Sequence, residues 1–308
     1  MAVTAEKIAD IRDLSREEWL RERQKGIGGS DIPAILGISP WASPLSVYME
    51  KTTDIKEEAS DLDNLQMEVG KELEGFLAKK FEAWLEREEG HKVEVVQEPH
   101  ILQHPGYTWA MGNLDGVFEH PEKGLCGLEL KTTNEFMRGE WEGDELPDTY
   151  YFQVQWYMFV TGLDTFYIAY LIGNRKFNAK EVPRNQEVID VLYQKAEEFW
   201  NDHVLAQEPP APIGTDADTE ALKYLYPEEE KGEVVDLSDM QGLRDEYKEI
   251  MKEKKELDSK INEIKQRFMA RMGEAETAYV GGKKVAWKTI NRKGYTVEPK
   301  TYREMRIY

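Results

Sequence analysis

The residues best suited to chemistry in this chain lie in two short segments: Asp115 in Leu114-Asp115-Gly116, and Glu129 with Lys131 in Leu128-Glu129-Leu130-Lys131-Thr132-Thr133. The second segment alternates as a strand does, so Leu128 and Leu130 point to one face while Glu129 and Lys131 share the other. Pro121-Glu122-Lys123-Gly124, between the two segments, reads as a turn. A hairpin folded about it pairs residues whose numbers sum to about 245, which sets Asp115 opposite Glu129 to within one residue. Like charges facing each other across a ladder are destabilising unless a cation lies between them, and hard carboxylate oxygens with open positions suit Mg²⁺ or Mn²⁺. The Lys131 ammonium, two residues on, can orient an attacking water or stabilise negative charge at a phosphodiester. The chemistry these residues suit is metal-assisted phosphoryl transfer to water. An exposed strand can also carry Glu and Lys as plain surface neighbours, so the surrounding elements decide between the two.

The spacing predicts a helix over Gly70–Glu89 with Leu73, Phe76, Leu77, Phe81, Trp84 and Leu85 as its buried stripe. Glu74 sits at the border of that stripe, where it is either a snorkelling surface residue or a third carboxylate over the hairpin. Val93–Val96 and Ile101-Leu102 supply first-strand material that leads through Pro105-Gly106 to the Asp115 strand. A helix over Asp148–Thr161 is apolar on nearly every side and must be buried. Gln153 and Gln155 within it therefore need partners, from the core or, for Gln153, from the carboxylate site. Phe166–Ile172 reads as a further buried strand and Asn185–His203 as a closing amphipathic helix.

Toward the N-terminus, Ser15–Gln24 reads as a short helix with Ser15 as N-cap and Glu18 three residues on. It ends beside Arg23, and Gly26-Ile27-Gly28-Gly29-Ser30-Asp31-Ile32-Pro33 follows, with Ser30 or Asp31 placed to cap a second helix. The segment is either a Gly-rich connector or, with Arg23 and the Ser30 hydroxyl, an anion site for a phosphate. Trp41–Thr52 reads as a third short helix started by Ser43 and Pro44.

With 308 residues the chain can bury a sizeable core, and no apolar run approaches the ~20 residues of a membrane span. Met1–Leu14 is too charged for a signal peptide, so a cytoplasmic protein is expected. One cysteine, Cys126, excludes an intrachain disulfide and reads as a small buried residue. The net charge of −20 argues against broad attraction to nucleic acid, but it is unevenly placed. Residues 281–308 hold eight basic side chains against Glu298 and Glu304, a balance of +6, which leaves −26 on residues 1–280. Such asymmetry fits a protein whose body repels DNA away from a chosen path. Glu57–Asn64 reads as a solvated acidic stretch, and Glu208–Thr219 as a Pro-rich linker. Beyond it Met240, Leu243, Tyr247, Ile250, Lys254, Leu257, Ile261, Ile264 and Phe268 recur at alternating spacings of three and four. That is a heptad seam, which either packs back within the chain or pairs with a partner helix. The last segment alternates like strands around Gly281-Gly282, with Trp287, Tyr295, Tyr302 and Tyr308 among its basic residues, as a small hairpin or a nucleic-acid contact would.

Taken together, Arg23 with Gly26–Asp31, Gly70-Lys71-Glu72-Leu73-Glu74, Leu114-Asp115-Gly116, Leu128–Thr133 and Tyr151-Phe152-Gln153-Val154-Gln155 resemble the YqaJ-like viral recombinase family, relatives of the phage lambda exonuclease within the PD-(D/E)xK nuclease superfamily. The resemblance covers about residues 12–203 in the family's order and spacing, with Leu114 where the superfamily name expects Pro. It implies an α/β, restriction-endonuclease-like core with a central mixed sheet flanked by helices, over residues 1–205. A linker over 206–235 and a helical arm with a basic β tail over 236–308 lie outside that core. The activity implied is a Mg²⁺-dependent exonuclease, with Mn²⁺ as a possible substitute. It digests one strand of linear duplex DNA 5′ to 3′ and leaves 3′ overhangs for recombination by strand annealing. Asp115, Glu129 and the Leu130 carbonyl would hold metal, Lys131 would serve the attacking water, and Glu74 and Gln153 would complete the site. Arg23 and Ser30 would receive the 5′-terminal phosphate. The resemblance further implies a homotrimeric ring and a single-strand annealing protein as partner. Two other classes compete: an endonuclease of restriction or repair type, for which the Arg23/Ser30 pocket is superfluous, and a catalytically idle DNA-end-binding protein, which would not need Asp115 and Glu-x-Lys together.

Overall fold

The computed structural model describes residues 4–54, 65–143, 145–294, 303 and 305–307, so the acidic Glu57–Asn64 stretch and Tyr295, Tyr302 and Tyr308 lie outside the described residues. The chain divides into two units, Met1–Tyr224 and Leu225–Tyr308. The first begins with β1 (Glu6–Asp10), α1 (Arg16–Gln24), α2 (Asp31–Ile35), α3 (Pro44–Thr52) and α4 (Leu65–Glu89). Next come β2 (His100–Gln103), β3 (Met111–Gly112), β4 (Gly116–His120), β5 (Gly124–Thr133), α5 (Arg138–Trp141), α6 (Asp148–Thr161), β6 (Thr165–Ile172) and β7 (Lys176–Pro183). It closes with α7 (Gln186–Phe199), which runs on as a π-helical turn over Trp200–Leu205, and α8 (Asp216–Leu225).

The centre of this unit is a four-stranded sheet in the order β4-β5-β6-β7. β4 and β5 are antiparallel with Gly116 opposite Leu128 and Val117 opposite Gly127, one residue from the sum expected of the hairpin. β5 and β6 run parallel from Gly127↔Phe166 to Thr133↔Ile172, and β7 returns antiparallel on β6. A parallel neighbour needs a crossover, and α6 supplies it. The sheet is therefore mixed, with helices on both faces. Leu77, Phe81 and Leu85 of α4 pack with Phe118, Cys126, Leu128, Leu130 and Tyr167 on one face. On the other, Gln153 and Tyr157 of α6 meet Glu129 and Phe166. Cys126 is buried, as expected of a small apolar residue.

Several expectations are corrected. The chain's first strand is β1, an alternation too short and polar to stand out, which pairs with β2 in a separate antiparallel sheet β1-β2-β3. Val93–Val96 contributes only an isolated bridge from Val96 to Val117. The Asp115 strand is interrupted: β3 ends at Gly112, β4 starts at Gly116, and each belongs to a different sheet. α4 starts at Leu65, and Phe76 stays half exposed at 50% because it falls outside the arc that Leu77, Phe81 and Leu85 bury. α3 starts at Pro44 behind a Ser43–Ser46 capping box, not at Trp41. Within the expected linker stretch, Asp216–Leu225 is helical, with Asp218 and Ala221 buried and the Asp218 carboxylate accepting from the Ile213 and Thr215 amides. The capping box of Ser15 and Glu18 on α1 is as expected.

The second unit contains α9 (Gln241–Met272), 32 residues long, and the hairpin of β8 (Thr277–Val280) and β9 (Lys283–Ala286) turned on Gly281-Gly282. Among the described residues no helix is long and apolar enough to cross a membrane.

At Gly127 the Phe166 ring of β6 fills the space a side chain would take: a Cβ there would sit 2.3 Å from it. Gly127→Ala should cost about 1–3 kcal/mol by overpacking, read as a lower urea midpoint at unchanged slope. An unaltered midpoint would show that the parallel register has been misassigned.

Candidate functional site

The strand alternation of β5 separates two kinds of residue: Leu128 and Leu130 enter the core under α4, and Glu129 and Lys131 turn to α6. Glu129 is buried, at 2% exposure. Its Oε1 accepts from Gln153 Nε2 at 2.8 Å and meets Lys131 Nζ at 2.5 Å. Its Oε2 is also buried, and it has no partner among the described residues. Asp115 stands one residue before the paired Gly116, and its Oδ2 accepts from the Leu130 amide at 2.7 Å. That bond ties the carboxylate in the β3–β4 gap to the strand that carries Glu129. α4 passes the end of β5, since a Cβ at Gly70 would lie 3.8 Å from Thr132 Oγ1. Glu74, one turn later, comes within electrostatic range of Asp115 and Lys131. Asp115, Glu129, Lys131 and Gln153 are thus gathered at one point, with Glu74 within electrostatic range of it.

Electrostatics there are dominated by unmet negative charge. Burial, then the charge of Asp115, pushes the Glu129 carboxyl up to about 8 against the pull of Lys131. Burial and Asp115 likewise raise Glu74 to about 7, opposed by Lys71 and Lys131. Asp115 is also raised, by burial, against Lys131 and the Leu130 N–H. Burial disfavours the Lys131 ammonium, yet Glu129 and Asp115 outweigh it and hold the proton on. One ammonium does not balance the buried Glu129 and Asp115 carboxyl groups with the half-buried Glu74 beside them, so protons are retained where a cation would replace them. Among the described residues no group of three or more His, Cys, Asp or Glu is close enough to hold a metal by itself. Two carboxylates with one unpartnered buried oxygen still fit Mg²⁺, which keeps several waters and takes few protein ligands.

Arg23 and Ser30 also come together, Nη2 lying 3.4 Å from Ser30 Oγ. Ser30 does not cap α2; its backbone is already helical, and the Asp31 carboxylate accepts from the Gly28 amide instead. Arg23 is held by Asp31 at 3.1 Å and Glu50 at 3.3 Å, and Lys51 reaches Asp31 at 2.8 Å. Burial alone would raise Asp31, but Lys51 and Arg23 prevail and hold its carboxyl below the ordinary range. A pocket of about 40 Å³ is lined by Arg23, Gly28, Ser30, Asp31, Lys51, Asn113 and Tyr157. A larger cleft of about 1110 Å³ runs past the other end of the site along Trp41, Thr132, Thr133, Trp141, Asp148 and Tyr150.

Tyr157 joins the pocket to the carboxylates and went unread in the sequence. Its hydroxyl accepts from Gln153 Nε2 at 2.8 Å, and Gly29 packs on its ring so closely that a Cβ would lie 2.4 Å away. The available signal was its position four residues after Gln153, one turn along the same buried face. Gln155 has the structural role: it accepts from the Asn185 amide and donates to the Pro183 carbonyl. Lys51, Glu50 and the Tyr150 ring, over which Lys131 Nζ lies at 5.1 Å, were likewise unread because only tertiary contact brings them here.

Without metal, Glu129 keeps its proton in the folded state to about pH 8, whereas the unfolded chain releases it near 4.5. The folded state then binds the extra proton between those limits, so stability of the metal-free protein should fall as pH rises through that window. Glu129→Gln should remove this part of the pH dependence and raise the melting temperature at pH 8 by about 3 °C, the shift that ~1 kcal/mol produces in a domain of this size. Parallel melting curves for the two proteins from pH 5 to 8 would contradict the buried-carboxylate reading.

The YqaJ-like viral recombinase domain matches residues 18–164. A relative from Bacillus subtilis (strain 168), the uncharacterized protein YqaJ, is 37% identical over 289 residues, covering 93% of this chain and 87% of that protein. Among solved structures, an alkaline exonuclease from Laribacter hongkongensis superposes with a TM-score of 0.48 at 15% identity, over 68% of this chain and 100% of that chain. A phage related exonuclease from Haemophilus somnus 129PT has a TM-score of 0.37 at 12% identity, over 59% of this chain and 96% of that chain. The chain belongs to the YqaJ-like viral recombinase family.

Proposed function

We propose that the protein is a metal-dependent 5′→3′ exonuclease on linear duplex DNA, built on a restriction-endonuclease-like PD-(D/E)xK core. The observation that carries this reading is the state of Glu129, a buried carboxylate with one oxygen held by Gln153 and Lys131 and the other unpartnered, beside Asp115. Asp115, Glu129 and the Leu130 carbonyl would hold Mg²⁺, or Mn²⁺ in its place. When bound, the ion would neutralise charge at the scissile phosphate and favour ionisation of a nearby water. Gln153, fixed by its second bond to Tyr157, keeps Glu129 in place, which is the orientation a preorganised site requires. The Lys131 ammonium stays protonated and can orient the attacking water or offset charge on the phosphate. Glu74, near 7, can exchange a proton with solvent at working pH.

Polarity follows from the second cluster. Arg23 uses Nε on Glu50 and Nη2 on Ser30 and Asp31, and its remaining Nη1 donors, with the Ser30 hydroxyl, suit a terminal phosphate. Tyr157 spans from that pocket to Gln153, so a strand whose 5′ end is seated at Arg23 would have its nearby phosphodiesters at Glu129. Product strands with 3′ overhangs would then pass to a single-strand annealing protein, and a homotrimeric ring would keep the enzyme on its substrate. Residues 236–308, with their basic tail, are read as an accessory module outside the site.

One gel series tests the assignment. With Mg²⁺ the wild type should shorten blunt linear duplex and leave covalently closed circles intact, and chelator should stop it. Lys131→Ala and Glu129→Ala should each slow digestion by ~100-fold or more while end binding persists. Digestion of the closed circle would favour the endonuclease, and full activity of Glu129→Ala would remove the site assignment. A 5′-phosphorylated duplex should be consumed faster than a 5′-hydroxyl one, with Arg23→Ala erasing the difference; equal wild-type rates would exclude the phosphate pocket.

A further inference from the structure

α9 is a helix of 32 residues with no buried residue. Its seam is apolar all the same: Met240, Leu243, Tyr247, Ile250, Leu257, Ile261, Ile264 and Phe268 are 38–58% exposed. Spacings of three and four keep these residues in one stripe about 42 Å long, the form of a coiled-coil surface lacking its second strand. The charges beside the stripe indicate what the second strand is. Along one flank, at every seventh residue, stand Asp239, Glu246, Glu253, Lys260 and Arg267. This row is acidic in its first part and basic in its second. A row of that kind complements its own reverse.

We infer that α9 pairs antiparallel with α9 of a second copy of this chain. Laying the helix on its reverse so that the whole seam is covered sets Leu243 against Phe268 of the second copy, Tyr247 against Ile264, and Ile250 against Ile261. The flanking row then brings Glu246 to Arg267 of the second copy and Glu253 to Lys260, each pair made twice by the two-fold axis. Lys254, the polar interruption, lies beside Leu257 of the second copy, where its stem can pack and its ammonium reach water. The opposite flank sets Arg244 near Lys265 of the second copy, a like-charge contact in solvent that the flanking row outweighs. A parallel pair in register does much worse. It stacks Lys254 on Lys254 and Arg271 on Arg271 within the seam, and it opposes Glu253 to Asp258 and Lys260 to Lys265. Only Asp239 and Arg244 attract.

Light scattering after size exclusion on the full-length protein tests this. Glu246→Lys with Glu253→Lys makes the four positions that pair across the axis uniformly basic, and Lys260→Glu with Arg267→Glu makes them uniformly acidic. Each double variant alone should show half the wild-type mass, whether the unit that pairs is one chain or the proposed three-chain ring, and an equimolar mixture should restore it. Leu243→Cys and Phe268→Cys, prepared separately, should form a disulfide-linked pair on oxidation only when mixed, with the buried Cys126 of the wild type as the uncrosslinked control. Unchanged mass in either double variant, failure of the mixture to reassociate, or a monomeric wild type would overturn the inference. So would crosslinking of Leu243→Cys with itself, which marks a parallel pair, and capture of a different protein on the stripe while the chain stays monomeric.

Discussion

Glu129 is carried into the interior by the alternation of β5, because Leu128 and Leu130 must enter the core on the other face of the sheet. Burying a carboxylate beside a second one is costly, and most of the local architecture limits that cost. Lys131 supplies the counter-charge, Gln153 an N–H donor, and the Leu130 amide binds the neighbouring Asp115. What these groups leave unmet is a single buried oxygen and retained protons on carboxyl groups. A well-paired structural ion pair would have neither.

The two helical layers divide the work unequally. α4 packs Leu77, Phe81 and Leu85 on the sheet and brings Glu74 past the end of β5, so one helix serves both core and site. α6 is the crossover that parallel pairing of β5 and β6 demands, and the same topology places Gln153 over Glu129. Tyr157, one turn further, meets the Gly29 turn and thereby sets the spacing between the Arg23 cluster and the carboxylates. Gly29 is small because a ring occupies the place a side chain would take. Around Arg23 the charges close on themselves, with Asp31 shared between Arg23 and Lys51 and with Glu50 on the rim. Such a cluster holds a guanidinium in a fixed orientation.

The family model matches residues 18–164, inside the first unit, where the candidate site residues lie. The second unit has its own logic. Its helix carries apolar and charged residues in a repeat of little use to an isolated helix, since an exposed apolar stripe adds only small pairwise terms to helix stability and lowers solubility.

Sequence alone determined whatever depends on local period and on short separations. The alternation at Leu128–Lys131, the hairpin that brings Asp115 to Glu129, the buried α6 with its two glutamines, the Ser15 cap and the heptad seam were all legible, because each follows from spacing within about thirty residues. Tertiary structure alone decided the rest. The break between β3 and β4, which frees Asp115 to bind the Leu130 amide, follows from competition between two sheets for one segment. The pairing of β1 with β2 joins residues about ninety apart, and β1 has too little apolar character to announce it. Lys51, Glu50 and Tyr150 entered the site through packing of elements that are distant in sequence. Local preference cannot encode such contacts: each depends on which faces are left to be buried once the sheet has formed.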